Sequence, residues 1–122
     1  MIKTQGLTHI HLVVSDLERS LRFYKNVFGM EERFREGKKM VFLNTPGSED
    51  LITLNEDPGE AQLAGVNGGV AHFGFRLSDS SDLDGAISEV EAGGGKLIRR
   101  GEHAPGVVFA YVADPDGYVI EL

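Results

Sequence analysis

The sequence predicts an α+β fold in which two βαβββ modules form an open, curved mixed sheet. Three observations carry this. The chain is written twice, since His9-Ile-His-Leu-Val-Val-Ser-Asp16 opens it and His72-Phe-Gly-Phe-Arg-Leu-Ser-Asp79 opens its second half. Each run precedes an amphipathic helical segment. After each helix come three short strand candidates. The whole reads as one domain over 1–122, with module one at about 5–56, a connector at about 57–69 and module two at about 70–122.

The elements follow in order. The first strand alternates, with Ile10, Leu12 and Val14 on the face that meets the helix and His9, His11 and Val13 on the other. Asp16 is the expected helix N-cap, its side chain accepting from the orphan amides of the first turn. Leu17, Leu21, Tyr24 and Phe28 recur at i, i+4, i+7 and i+11 as one apolar stripe. Gly29 suits a left-handed C-terminal cap. Strands are expected at about 31–36, 39–45 and 50–55, and EDPGEAQLAGVNGG (56–69) is a polar, glycine-rich connector.

The second half repeats the plan. Phe73, Phe75 and Leu77 meet the helix, while His72, Gly74 and Arg76 point the other way. Asp82 starts the second helix, Leu83, Ile87 and Val90 form its stripe, and Gly93-Gly94-Gly95 ends it. Strands are expected at about 96–100, 107–112 and 118–122. In the last of these, Ile120 and Leu122 take the helix side and Val119 and Glu121 the opposite one.

Composition narrows the function. The 122 residues, 41% hydrophobic, suit one compact domain with a core rather than a disordered chain. A net charge of −7 argues against a nucleic-acid partner, whose backbone an acidic surface repels. With no cysteine, disulfides, thiolate nucleophiles and cysteine metal sites are excluded, so any metal must use His, Asp or Glu. No apolar stretch approaches the roughly 18–20 residues of a membrane span, and the N-terminus lacks a signal-peptide pattern. A soluble cytoplasmic protein with no membrane partner is the expectation.

If each half-sheet curls, His9, His72 and Glu121 converge from three strands in one cleft. Two imidazoles and a carboxylate suit Fe, Mn, Ni or Zn far better than Ca, and three protein ligands leave positions open for water or substrate. Taken singly, each residue has an ordinary reading: a strand His is more often a hydrogen-bonded residue, and Glu121 could be a solvated terminus.

Three segments carry a resemblance: THIHLVVSDLERSLRFYKNVFG (8–29), GGVAHFGFRLSD (68–79) and DPDGYVIEL (114–122). They resemble the vicinal oxygen chelate superfamily, which includes glyoxalase I, fosfomycin-resistance transferases, bleomycin-resistance proteins and extradiol dioxygenases. The resemblance implies a curved sheet around one divalent metal ion per site, with His9, His72 and Glu121 at the ligand positions. It also implies a further ligand-like position in the first module, expected near Leu51; Leu51 has no donor, so three ligands are expected.

Branches of the family remain open. Glyoxalase I is supported by Glu121 and Asn55 and opposed by Leu51 and by Val13, where Arg is common. Fosfomycin transferases share the three-ligand set, but His11 stands where a Thr is expected, and their extended basic C-terminal segment has no counterpart up to Leu122. The run from His103 through Tyr111 to Asp114-Pro-Asp-Gly117 and Glu121 resembles the extradiol dioxygenase signature, with Ala110 as a departure. That resemblance implies Tyr111 orienting or protonating substrate, His103 supporting the site, and Glu121 or His11 handling protons. The dioxygenase-like branch is slightly favoured, with glyoxalase-like lyase, fosfomycin-type thiol transferase and metal-free antibiotic binder as alternatives. The substrate is expected to be a small oxygenated molecule. Arg76 is a candidate for holding a substrate anion, and Phe42, Phe109 and Tyr118 either line the pocket or fill the core. In small family members a two-fold dimer closes the cleft, so a homodimer with two equivalent sites is expected, with His9 and His72 reaching the metal either from one chain or from opposite chains.

Overall fold

The computed structural model describes all 122 residues. In chain order the elements are β1 (Ile10–Val14), α1 (Leu17–Phe28), β2 (Glu31–Glu36), β3 (Met40–Asn44) and β4 (Ile52–Glu56). Two short 3-10 turns in the connector lead to β5 (Phe73–Gly74), α2 (Leu83–Ala92), β6 (Lys96–Ala104), β7 (Val107–Ala113) and β8 (Val119–Glu121). They form two four-stranded sheets, ordered β1-β4-β3-β2 and β5-β8-β7-β6. In each the first strand pairs parallel with the last, and the other pairs are antiparallel. The two βαβββ modules are therefore present.

Helix α1 starts where its cap dictates. Asp16 is extended and its side chain accepts from the Arg19 N–H at 3.0 Å, while Gly29 closes the helix at φ 65°. Asp82 caps α2 the same way, accepting from the Gly85 N–H at 2.9 Å. Of the expected stripes, Leu17, Leu21 and Tyr24 on α1 and Leu83, Ile87 and Val90 on α2 are buried, and Phe28 is half-buried. Phe23 is also buried, outside the expected stripe. It has this second buried side because α1 packs on its own sheet and on the second module too: Phe28 stacks on Phe75 at 4.2 Å, and Phe23 lies against Gly95. A single core thus joins both helices and the apolar faces of both sheets.

Two strands depart from expectation. The run His72–Asp79 pairs only at Phe73–Gly74, because its sole neighbour β8 is three residues long. Strand β6 instead runs on to Ala104, well past the expected end at about 100, because Pro105-Gly106 makes a tight turn that lets Ala104 pair with Val107.

The turn after β7 fastens the second module to the first. The buried Asp114 accepts the backbone N–H groups of Asp116, Gly117 and Tyr118 on one oxygen and the Tyr24 hydroxyl on the other, at 2.8 Å. Asp116 accepts from Ser15, Ser20 and Arg19. The Tyr118 hydroxyl donates to the Val13 carbonyl at 2.7 Å. Sequence alone left Tyr118 between pocket and core; it is a staple between modules.

Candidate active site

Alternation positions the side chains. Ile120 is buried on the helix side of β8, so Glu121 faces the opposite, open side, where β7 presents Tyr111 directly across the ladder. His72 stands one residue before β5, and its Nε2 lies 3.0 Å from Glu121 Oε2. The other carboxylate oxygen, Oε1, lies 2.7 Å from His103 Nε2. Glu121 is thus held between two imidazoles with a quarter of its side chain, 26%, still exposed.

An aromatic wall adjoins it. The Tyr111 ring is 4.9 Å from His72 and 5.1 Å from Phe109, and His103 stacks on Phe109 at 4.2 Å. A shift in the β6–β7 register between Glu102 and Ala104 frees His103 from the ladder. Gly101 makes the stack possible: a Cβ there would sit 3.0 Å from the Phe109 ring. Arg99 completes the wall, its guanidinium 5.4 Å from the Phe109 centroid and 5.5 Å from that of Tyr111.

Of the expected site residues, His72, Glu121, Tyr111 and His103 come together on one face. His9 does not join them. It is exposed, with Nδ1 2.8 Å from the Thr8 hydroxyl, and it lines a cavity of about 650 Å³ together with Leu51, Phe75 and Arg76. Arg76 is accordingly apart from the Glu121 wall. His11 shares a smaller cleft of about 230 Å³ with His72, Tyr118 and Leu63. Phe42 is half-buried and stacks on Phe34 at 4.3 Å. Within one chain no group of three His, Asp or Glu is arranged to hold a metal ion.

Strand register corrects one expectation. Ile10 pairs with Ile52, and Phe73 with Ile120, so the first-module counterpart of Glu121 is Thr53, and Leu51 matches Val119. A two-residue offset keeps every side chain on its face, so alternation could not distinguish position 51 from 53. Thr53 is 1% exposed and its hydroxyl has no partner. Neither residue supplies a carboxylate. Sequence reading also missed Arg99 and Gly101 as parts of the wall; their alternation with His103 on an extended β6 was the available signal.

Comparison with known proteins agrees with this architecture. The family model described as "Glyoxalase/Bleomycin resistance protein/Dioxygenase superfamily" matches residues 6–122. The chain belongs to that superfamily. It is 34% identical over 119 residues to a catechol-2,3-dioxygenase of Bacillus subtilis, covering 94% of this chain but only 41% of that protein. It is 32% identical to a lactoylglutathione lyase of Neisseria meningitidis, covering 95% of this chain and 88% of that one. Among solved structures, the genomically encoded fosfomycin resistance protein of Listeria monocytogenes superposes with a TM-score of 0.79 at 26% identity, covering 100% of this chain and 93% of that one. A mutant of it, complexed with Mn(II) and 1S,2S-dihydroxypropylphosphonic acid, superposes at 0.78 and 24% identity, covering 98% and 90%. No helix of the structure is long and apolar enough to cross a membrane.

Proposed function

We propose that this chain is a metal-dependent enzyme of its superfamily, with an extradiol-dioxygenase-like site that binds a small oxygenated substrate. The observation that carries the reading is the row His72–Glu121–His103 with Tyr111 against His72. Two donors 3.0 Å apart have the spacing of adjacent vertices around an ion with bonds of about 2.1 Å. His72 and Glu121 would hold such an ion. His9 of a second copy would add the third donor, in a cytoplasmic homodimer with two equivalent sites. A bound divalent ion (Fe, Mn, Ni or Zn) supplies Lewis acidity toward the substrate oxygens.

The chain's own residues supply the rest. His103 holds Glu121 Oε1, which fixes the carboxylate so that Oε2 faces His72. Tyr111 carries a hydroxyl beside His72, suited to orienting a substrate oxygen or giving it a proton. Glu121 and His11 are the candidate bases, His11 through the cleft it shares with His72. Phe109, buried under His103, backs that imidazole and holds its plane in place. The dioxygenase relative supports this reading, although the chain spans only 41% of that protein. A lyase reading is favoured by the Neisseria relative, which the chain covers over 88% of its length. The lack of a carboxylate at Leu51 and Thr53 counts against a four-ligand lyase site.

The test is metal content of protein purified anaerobically without chelator, beside Glu121→Ala. The expected result is near-stoichiometric iron or manganese in wild type and loss in the variant, with oxygen uptake on catechols. A wild type that neither carries metal nor retains it on addition would move the protein to the metal-free binders of the superfamily.

A further inference from the structure

Arg99 is the one member of the wall whose chemistry the proposed function leaves unused. Its backbone pairs with Tyr111, and Tyr111 pairs with Glu121, so the three side chains form a row across adjacent strands on one face. The guanidinium lies over both the Phe109 and Tyr111 rings, which restricts where its N–H groups point. It has no carboxylate partner. Arg19, Arg35 and Arg100 each pair with an acid, whereas Arg99, like Arg22, Arg33 and Arg76, does not, and of these four Arg99 is the one placed over the site's aromatic rings. An arginine resting against two rings and free of acids is a poor stabiliser of the surface and a good receptor for an anion, because its fork of donors is restricted in direction and unspent.

Distance gives the anion a location. Strands are about 4.8 Å apart, so Arg99 stands about 10 Å from Glu121 across the sheet. A planar substrate with its oxygens near His72 and Glu121, lying along the Tyr111 position of that row, would project its far substituent toward Arg99.

We propose that Arg99 is a specificity-determining residue, and that the substrate is a planar, ring-bearing molecule with a carboxylate on the side remote from its reacting oxygens. This rests on the proposed function for the site but adds the substrate's charge and shape. Arg76, the other candidate for an anion, lines the separate cavity with His9.

The experiment is equilibrium binding by calorimetry, at low and high salt, of protocatechuate, homoprotocatechuate and uncharged catechol to the full-length protein loaded with zinc. Wild type is expected to bind one of the two carboxylates about tenfold more tightly than catechol, with the preference shrinking at high salt. Arg99→Gln should erase the preference, while Arg99→Lys should keep part of it. Equal affinities in wild type, failure of both carboxylates to bind at millimolar concentration, or a preference that survives in Arg99→Gln would each overturn the proposal. The two readings fail separately. If Glu121→Gln left metal content and catechol binding untouched, the metal-site reading would fall, while a carboxylate preference lost in Arg99→Gln would still stand.

Discussion

Asp114 is a buried acid that does no chemistry in the proposed site. Burial pushes its carboxyl up to about 6, against the opposing pull of the Tyr24 hydroxyl and the Tyr118 backbone N–H. Burial and the adjacent Asp114 carboxylate hold the Tyr24 phenol well above its ordinary range. A carboxyl raised in the folded state favours the fold when neutral. Its contribution is whole below the ordinary carboxylate value and is lost as pH rises through about 6. Asp114→Asn cannot titrate, so its stability relative to wild type should rise by about 1–3 kcal/mol between pH 4 and pH 7. Urea unfolding at both pH values checks this, and a pH-independent difference would count against it. Gly101 is the second telling residue. Gly101→Ala puts a methyl against the Phe109 ring. It should cost about 1 kcal/mol and disturb the His103 stack, visible as altered chemical shifts of the His103 ring.

At the scale of elements, helix α1 joins the modules. Phe23 lies against Gly95 and Tyr24 donates to Asp114, both in the second module, while Leu17 and Leu21 are buried in the shared core. Phe23→Ala should therefore destabilise the whole chain by about 3–5 kcal/mol in a single cooperative transition. Two separate transitions in calorimetry would show instead that the modules melt independently. Helices and strand faces were legible in the sequence because they rest on local signals: caps at Asp16 and Asp82, and apolar periods of 3.6 and 2. What was not legible was pairing. The shortness of β5 depends on how many residues β8 offers, and the length of β6 on a turn at Pro105-Gly106. The candidate site divides the same way. Glu121, His72, Tyr111 and His103 were readable as one face, whereas Arg99 needed the β6–β7 register to bring it over the rings.

At the scale of the molecule, each sheet is covered on one face only. His72, His103, His9 and His11 are all exposed, as are Phe34, Val107 and Val108. A second copy meeting these faces is the arrangement the proposed function requires, and it has a quantitative signature. Neither His9→Ala nor Glu121→Ala alone should bind metal. Co-expressed and randomly paired, half the dimers would be mixed, each with one intact site of two, so about a quarter of all sites should recover metal. No recovery in mixed dimers would place all the ligands within one chain.

The β6–β7 hairpin overshoots its neighbour. Strand β8 and the Leu122 that follows it support only Ala110–Ala113, while the stretch from Gly101 through Val108 has the hairpin partner alone. Amide protection should therefore fall off along β7, with Tyr111–Ala113 exchanging on the timescale of global opening and Val107 and Val108 orders of magnitude sooner. His103, which grips Glu121, rides on the quickly opening part, while Glu121 itself rides on the slow part. The carboxylate would then be intermittently released from one of its two imidazoles without any unfolding of the core, at a rate set by the stiffness of a turn two residues long.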